Sequence, residues 1–150
     1  MDDLDELYQQ VILDHSRHPR NFHELADASG QAEGYNPVCG DRVTVFVKCD
    51  QDRIAESAFT GKGCAICTAS ASMMTQAVKG RTRQEAQQLF EHFHQLLTAE
   101  DRSSGAEESL GKLAAFAGVK KYPVRVKCAT LPWHTMQAAF EQHDEPVSTE

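Results

Sequence analysis

The sequence has neither an excess of basic residues nor a long apolar run. Its 22 acidic residues outnumber its 15 basic ones and give a formal net charge of -7 at pH 7. A chain with this balance offers no broad positive surface for phosphates or anionic lipid, so neither nucleic acid nor a membrane is an expected partner. No segment approaches the roughly 20 apolar residues that span a bilayer.

The opening residues also lack the features of a secretion signal. The stretch MDDLDELYQQVILDH starts with acids, where a signal peptide has a basic stretch and then an apolar run. We therefore expect a cytoplasmic protein. The five cysteines, at positions 39, 49, 64, 67 and 128, make an odd count. In a chain of this kind, metal binding or thiol chemistry is favoured over a framework of disulfides.

Length and hydrophobic spacing predict one small mixed domain. A helical hydrophobic face opens the chain and ends at His18-Pro19, and alternating residues predict strands near 31–36, over 42–49 and over 54–59. Further helices are predicted at 64–79, after the capping-box pattern Thr82–Glu85, at 107–117 and after Trp133. This order predicts an α+β fold in which a small antiparallel sheet of about three strands packs against a layer of helices. We expect a single domain over residues 1–143 and a flexible tail at 144–150.

Three of the cysteines lie in distinctive motifs, each predicted to fall at a junction between elements. The motifs are NPVCGD at 36–41, GKGCAICTASAS at 61–72 and RVKCATLPW at 125–133. A thiolate needs compensation for its charge, which a helix N-terminus, a nearby lysine or a metal ion can supply. Asp41 can add an oxygen ligand beside Cys39. Three thiolates and one carboxylate suit zinc, and thiolates also suit iron–sulfur clusters, so the donor types alone leave both metals open.

The remaining candidates have simpler interpretations. Cys49 falls on the valine face of a predicted strand and is expected to be a small core residue. The Cys64-x-x-Cys67 pair could be a redox pair or half of a zinc knuckle, but no second C-x-x-C follows it. His134 is the one histidine near a cysteine motif, and a structural role is favoured for it. Arg125 and Lys127 are candidates to offset the negative charge of a thiolate site.

Taken together, the three cysteine motifs resemble those of the U-type iron–sulfur scaffold proteins, the IscU/NifU N-terminal family, over residues 3–142. The resemblance is greatest to the SufU branch. The interval between Cys64 and Cys128 is longer than in IscU-like chains, and Lys127 stands where IscU-like scaffolds carry a histidine. Cys67 departs from the family pattern, since relatives commonly have another residue there, and it leaves open an extra thiol for exchange or an alternative ligand.

The resemblance implies an IscU/NifU-like fold and the metal ligands Cys39, Asp41, Cys64 and Cys128, with zinc as the usual occupant. It also implies that Cys39 accepts persulfide sulfur from a PLP-dependent cysteine desulfurase of the SufS type, which the protein activates. Downstream assembly components or apo-proteins would then receive the sulfur. Two alternatives stay open: a scaffold that builds a [2Fe-2S] cluster on the same ligands from iron and sulfur, and a zinc module whose metal only holds the fold together.

Overall fold

A computed structural model describes residues 3–98, 110–141 and 147–148 of the chain. The first helix, α1, runs from Asp3 to Arg17 and ends just before Pro19. Basic residues, His15 and Arg17, lie in its last turn, as the helix dipole favours. The predicted helix is confirmed. Among the described residues, no helix is long and apolar enough to cross a membrane.

Three antiparallel strands follow as a meander. They are β1 (Gly30–Asn36), β2 (Asp41–Asp50) and β3 (Arg53–Lys62), and the β1–β2 hairpin closes on the pair Asn36 and Asp41. Valines at 43, 45 and 47 are buried, because alternate residues of β2 face the helices. The α+β fold with a three-stranded antiparallel sheet is thus confirmed. A two-residue strand, β4 (Val147–Ser148), adds a parallel pairing to β1 and gives the sheet order β3-β2-β1-β4.

Helices cover the inner face of the sheet. They are α2 (Ala65–Val78), α3 (Arg83–Thr98) and α4 (Pro123–Glu141), with a 3-10 segment at Gly111–Lys121 between the last two. The predicted capping box starts α3, since Thr82 Oγ1 accepts from the Glu85 N–H and Glu85 Oε1 accepts from the Thr82 N–H. Helix α4 packs against β1, β2 and α2, so it places Cys128 beside the sheet.

Two predictions about the C-terminal third were wrong. The helix predicted at 107–117, ending at Gly118, begins outside the described residues, and its described part is a 3-10 segment, Gly111–Lys121, that continues through Gly118. Its large buried side chains, Leu113, Phe116 and Val119, recur every third position after the N-cap residue Leu110, which is the period of a 3-10 helix. The last helix begins at Pro123 and not after Trp133. Proline is well suited to the first helical position, because its missing N–H would have no partner there.

The early start of α4 also corrects the setting of Cys128. This cysteine was expected at a junction between elements, yet it lies inside α4, beyond the first turn. The predicted loop at 103–105 lies outside the described residues, as does most of the predicted tail at 144–150. Of that tail, the described part is the pair of residues that forms β4.

Candidate metal centre

Three segments of the chain bring Cys39, Asp41, Cys64 and Cys128 to one end of the sheet. Cys39 lies in the turn at 37–40 between β1 and β2, and Asp41 is the first residue of β2. Cys64 is the N-cap residue of α2, as predicted, and Cys128 projects from α4. The sequence-predicted donors are therefore neighbours in space, although 89 residues separate Cys39 from Cys128.

The donor atoms lie close to one another. The sulfur atoms of Cys39 and Cys128 are 3.1 Å apart, and the ligand atoms of Cys39, Asp41 and Cys128 all lie within 4.8 Å of each other. Cys64 joins this group through Asp41: its Sγ is 3.9 Å from Asp41 Oδ2, and its backbone N–H donates to Asp41 Oδ1 at 2.8 Å. Asp41 and Cys128 are fully buried, whereas Cys39 and Cys64 are half-buried.

Two glycines make this approach possible. Gly40 has φ of 73°, a conformation that glycine adopts without strain, and it lets the chain turn between Cys39 and Asp41. Gly63 leaves space for the carboxylate, because a Cβ at this position would lie 3.0 Å from Asp41 Oδ1. A larger residue at 63 would press on Asp41 and on the side chain of Cys67.

The pKa values of the Cys64 and Cys128 thiols are shifted in opposite directions. The hydrogen bond from Cys128, supported by the backbone N–H of Cys67, lowers the pKa of Cys64 to about 6. The same pairing with Cys64, together with burial, raises the pKa of Cys128. Burial above all raises the pKa of Cys67, and the negative charge of Asp41 adds to this effect. The pairing of the two thiols therefore favours the thiolate form at Cys64 and the protonated form at Cys128.

The donor set fits a cation that prefers sulfur. The negative charge of Asp41 opposes the lowering of the Cys64 pKa, because the buried carboxylate and the thiolate repel each other. A bound Zn²⁺ would compensate these charges, and three thiolates with one carboxylate complete its preferred four-coordinate shell. The residues therefore fit zinc, and the same thiolates fit an iron–sulfur cluster.

The other candidates from the sequence have these settings in the structure. Cys49 is half-buried against the core at the far end of β2 from Asp41. His134 packs edge-on against Phe90 with ring centroids 4.9 Å apart, and burial lowers its pKa. Arg125 and Lys127 are exposed on the first turns of α4, and the pKa of Cys128 is governed chiefly by the other thiols, Asp41 and burial.

The sequence alone does not identify one residue that positions the site. Asn36 is fully buried, its Nδ2 donates to Cys128 Sγ at 3.6 Å, and its Oδ1 accepts from the Val38 N–H at 3.2 Å. It thereby joins the Cys39 turn to α4. An asparagine that begins a turn is a recognisable local signal, because its side chain often bonds the backbone two residues on. The contact with Cys128 has no such signal.

Comparison with known proteins supports the family resemblance. Residues 7–129 match the family described as NifU-like N terminal domain. The chain is 42% identical over 141 residues to the zinc-dependent sulfurtransferase SufU of Bacillus subtilis (strain 168), with 94% of each chain covered. It is 40% identical over 139 residues to the iron-sulfur cluster assembly scaffold protein IscU of Streptococcus pyogenes serotype M1, covering 93% of this chain and 86% of that protein.

The fold agrees with these sequence matches. A crystal structure described as an iron-sulfur cluster assembly scaffold protein for the SUF system, from Fervidobacterium islandicum AW-1, superposes with a TM-score of 0.81 at 35% identity. The superposition covers 89% of this chain and 96% of that one. The chain therefore belongs to the NifU-like N-terminal domain family of iron–sulfur cluster assembly scaffold proteins.

Proposed function

We propose that the chain is a zinc-dependent sulfurtransferase that accepts persulfide sulfur from a PLP-dependent cysteine desulfurase. The observation that carries the proposal is the unequal setting of the three site cysteines. Cys39 lies in an exposed turn, between the exposed residues Val38 and Gly40, whereas Cys128 is buried inside a helix. Cys64 is held at the N-terminus of α2. Cys39 and Cys64 are both half-buried between exposed neighbours, but Cys39 lies in a turn and not at a helix end, so we take it as the thiol offered to a partner protein.

Zinc would be held by Cys39, Asp41, Cys64 and Cys128. When bound, it would keep the thiols deprotonated and protect them from oxidation. The chain's own contribution is orientation. Asn36 fixes the start of the Cys39 turn through the Val38 N–H, and Asp41 is fixed by the N–H of Cys64. The acceptor sulfur is therefore presented on a short segment anchored at both ends.

The transfer itself is an exchange between sulfur atoms. The Cys39 thiolate attacks the outer sulfur of the desulfurase persulfide, a new S–S bond forms at Cys39, and the S–S bond of the donor breaks. The desulfurase cysteine leaves as a thiolate, and the outer sulfur keeps its proton. No net oxidation or reduction occurs, so the step needs no further reactant.

Substitution of Cys39 tests this assignment. We expect Cys39→Ala to abolish both stimulation of the desulfurase and the gain of one sulfur atom in intact-mass spectra. Cys49→Ala is the matched control, since it removes a half-buried cysteine remote from the site, and it should behave as wild type. Zinc content and circular dichroism are measured on the same samples. If Cys39→Ala folds and still accepts sulfur, the proposed acceptor is wrong.

A second candidate is a scaffold for a [2Fe-2S] cluster, with iron and sulfur as cargo. The same thiolates support it, and the Streptococcus pyogenes relative is named a scaffold protein for iron-sulfur cluster assembly. Lysine at 127 is a poor substitute for a histidine ligand, which weighs against it. Anaerobic incubation with iron and sulfide, followed by absorption and Mössbauer spectroscopy, should yield a stable stoichiometric cluster if scaffolding is the main role.

A further inference from the structure

Cys67 is a buried thiol at the edge of the site that the proposed transfer does not use. It is 3% exposed, and its backbone N–H donates to Cys64 Sγ at 3.4 Å. The two cysteines lie three positions apart at the start of α2, so their side chains share one helical face. A Cβ at Gly63 would lie 3.4 Å from Cys67 Sγ and 3.0 Å from Asp41 Oδ1, so the thiol borders the same small space as the site carboxylate.

We propose that Cys67 is a resolving thiol, which releases the accepted sulfur as sulfide by closing a disulfide with Cys64. The inference rests on the proposed function, because the persulfide received at Cys39 is the oxidant. Burial keeps Cys67 away from outside reactants, yet it lies beside Cys64 within one protein. An intramolecular attack needs no access from solvent.

The release takes two steps that balance. The Cys64 thiolate first attacks the outer sulfur of the Cys39 persulfide, so that Cys39 leaves as a thiolate and Cys64 carries the persulfide. Cys67 then attacks the inner sulfur of Cys64, the Cys64–Cys67 disulfide forms, and the outer sulfur departs as sulfide with the Cys67 proton. The two thiols supply the two electrons that reduce the sulfur. Iron–sulfur cluster assembly requires sulfur in this reduced form.

The experiment is a single turnover without added reductant. A cysteine desulfurase is loaded with persulfide, freed of cysteine and mixed anaerobically with the metal-containing protein. Sulfide is measured colorimetrically, the disulfide by non-reducing peptide mapping, and released zinc with a chromophoric chelator. We expect wild type to release sulfide and form the Cys64–Cys67 disulfide in equal amounts. Zinc should be released as well, because the disulfide removes a ligand.

Cys67→Ser and Cys49→Ser form the matched pair of variants. Cys67→Ser should keep the sulfur as a persulfide on Cys39 or Cys64 and release at least about ten-fold less sulfide, whereas Cys49→Ser should behave as wild type. Cys67→Ala, with a circular dichroism spectrum, guards against a folding defect in the serine variant. Wild type that holds sulfur on Cys39 without releasing sulfide would overturn the inference alone. If neither wild type nor any variant accepts sulfur, the proposed function fails together with this inference.

Discussion

Asp41 is the residue through which the parts of the candidate metal centre meet. It is fully buried at the start of β2, and its two oxygens contact the N–H and the sulfur of Cys64. Substitution by asparagine keeps an oxygen that can accept from the Cys64 N–H but removes the negative charge. We expect Asp41→Asn to fold and to bind zinc more weakly by more than about ten-fold, measured by competition with a chromophoric chelator.

Asp50→Asn is the control for this change, because it makes the same substitution at the exposed, opposite end of β2. It should leave zinc affinity unchanged. Equal affinity of Asp41→Asn and wild type would show that the carboxylate is not a ligand and acts only as a hydrogen-bond acceptor.

His15 predicts a pH dependence of stability. It is buried, and its Nδ1 lies 2.7 Å from Ser72 Oγ, which also accepts from the Arg20 N–H. Burial, and then the nearby charge of Arg20, lowers the pKa of His15, while Asp14 raises it and Lys112 lowers it further.

Because the folded pKa is below the unfolded one, the unfolded chain binds a proton at His15 before the folded chain does. The free energy of unfolding should fall as the pH drops below about 6.5, the pKa of an unperturbed histidine. Urea unfolding from pH 7.5 to 5.5 should show a shallower fall for His15→Gln than for wild type. His18→Gln, at an exposed position, is the control. Some slope should remain in His15→Gln, since burial also lowers the pKa of His134.

At the level of helices and strands, Ser70 joins the two helices that carry Cys64 and Cys128. Its hydroxyl donates to the Ala129 carbonyl, and it accepts from the indole N–H of Trp133 at 3.1 Å. Ser70→Ala would leave that buried N–H without its acceptor, at a cost of about 1–3 kcal/mol in the free energy of unfolding. Urea unfolding should show this loss, whereas Ser16→Ala, near the surface of α1, should cost less than about 0.5 kcal/mol. Equal losses of unfolding free energy in the two variants would mean that the hydrogen bonds of Ser70 do not stabilise the fold.

Elements with a strong local period could be predicted from the sequence, and others could not. The α1 face, the β2 alternation and the Thr82–Glu85 box are local patterns, and the structure confirms all three. Leu110, Leu113, Ala114 and Ala117 have the spacing of three and four that predicts a helix, but this spacing does not distinguish an α-helix from the 3-10 segment found here. The sequence predicts the last helix only after Trp133, whereas α4 begins at Pro123.

The candidate site shows the same division. Its four donors were identified from motifs, because each motif is contiguous in sequence. The contact from Asn36 to Cys128 spans 92 residues, and the place of Cys67 beside Asp41 depends on how α2 packs against β3 and α4. Tertiary packing of this kind leaves no periodic trace in a single sequence.

At the scale of the whole molecule, a metal ion bound by the four donor side chains would link distant parts of the chain. The β1–β2 hairpin, the start of α2 and α4 meet at the four side chains, and the core lies between these elements. A metal ion bound there holds all three elements, so its binding energy becomes folding energy. Without a cation, the buried carboxylate and the thiolate of Cys64 repel each other.

Zinc removal should therefore lower global stability in a way that depends on free zinc concentration. An ion that binds only the folded state adds about 2.7 kcal/mol when its free concentration is 100 times its dissociation constant. Urea unfolding in zinc buffers of increasing concentration should show this logarithmic rise for wild type and for Cys49→Ser. Cys128→Ser should lose most of the rise, because it removes the ligand supplied by α4. Stability independent of zinc in wild type would exclude a metal that links these elements, whatever the chemistry at Cys39.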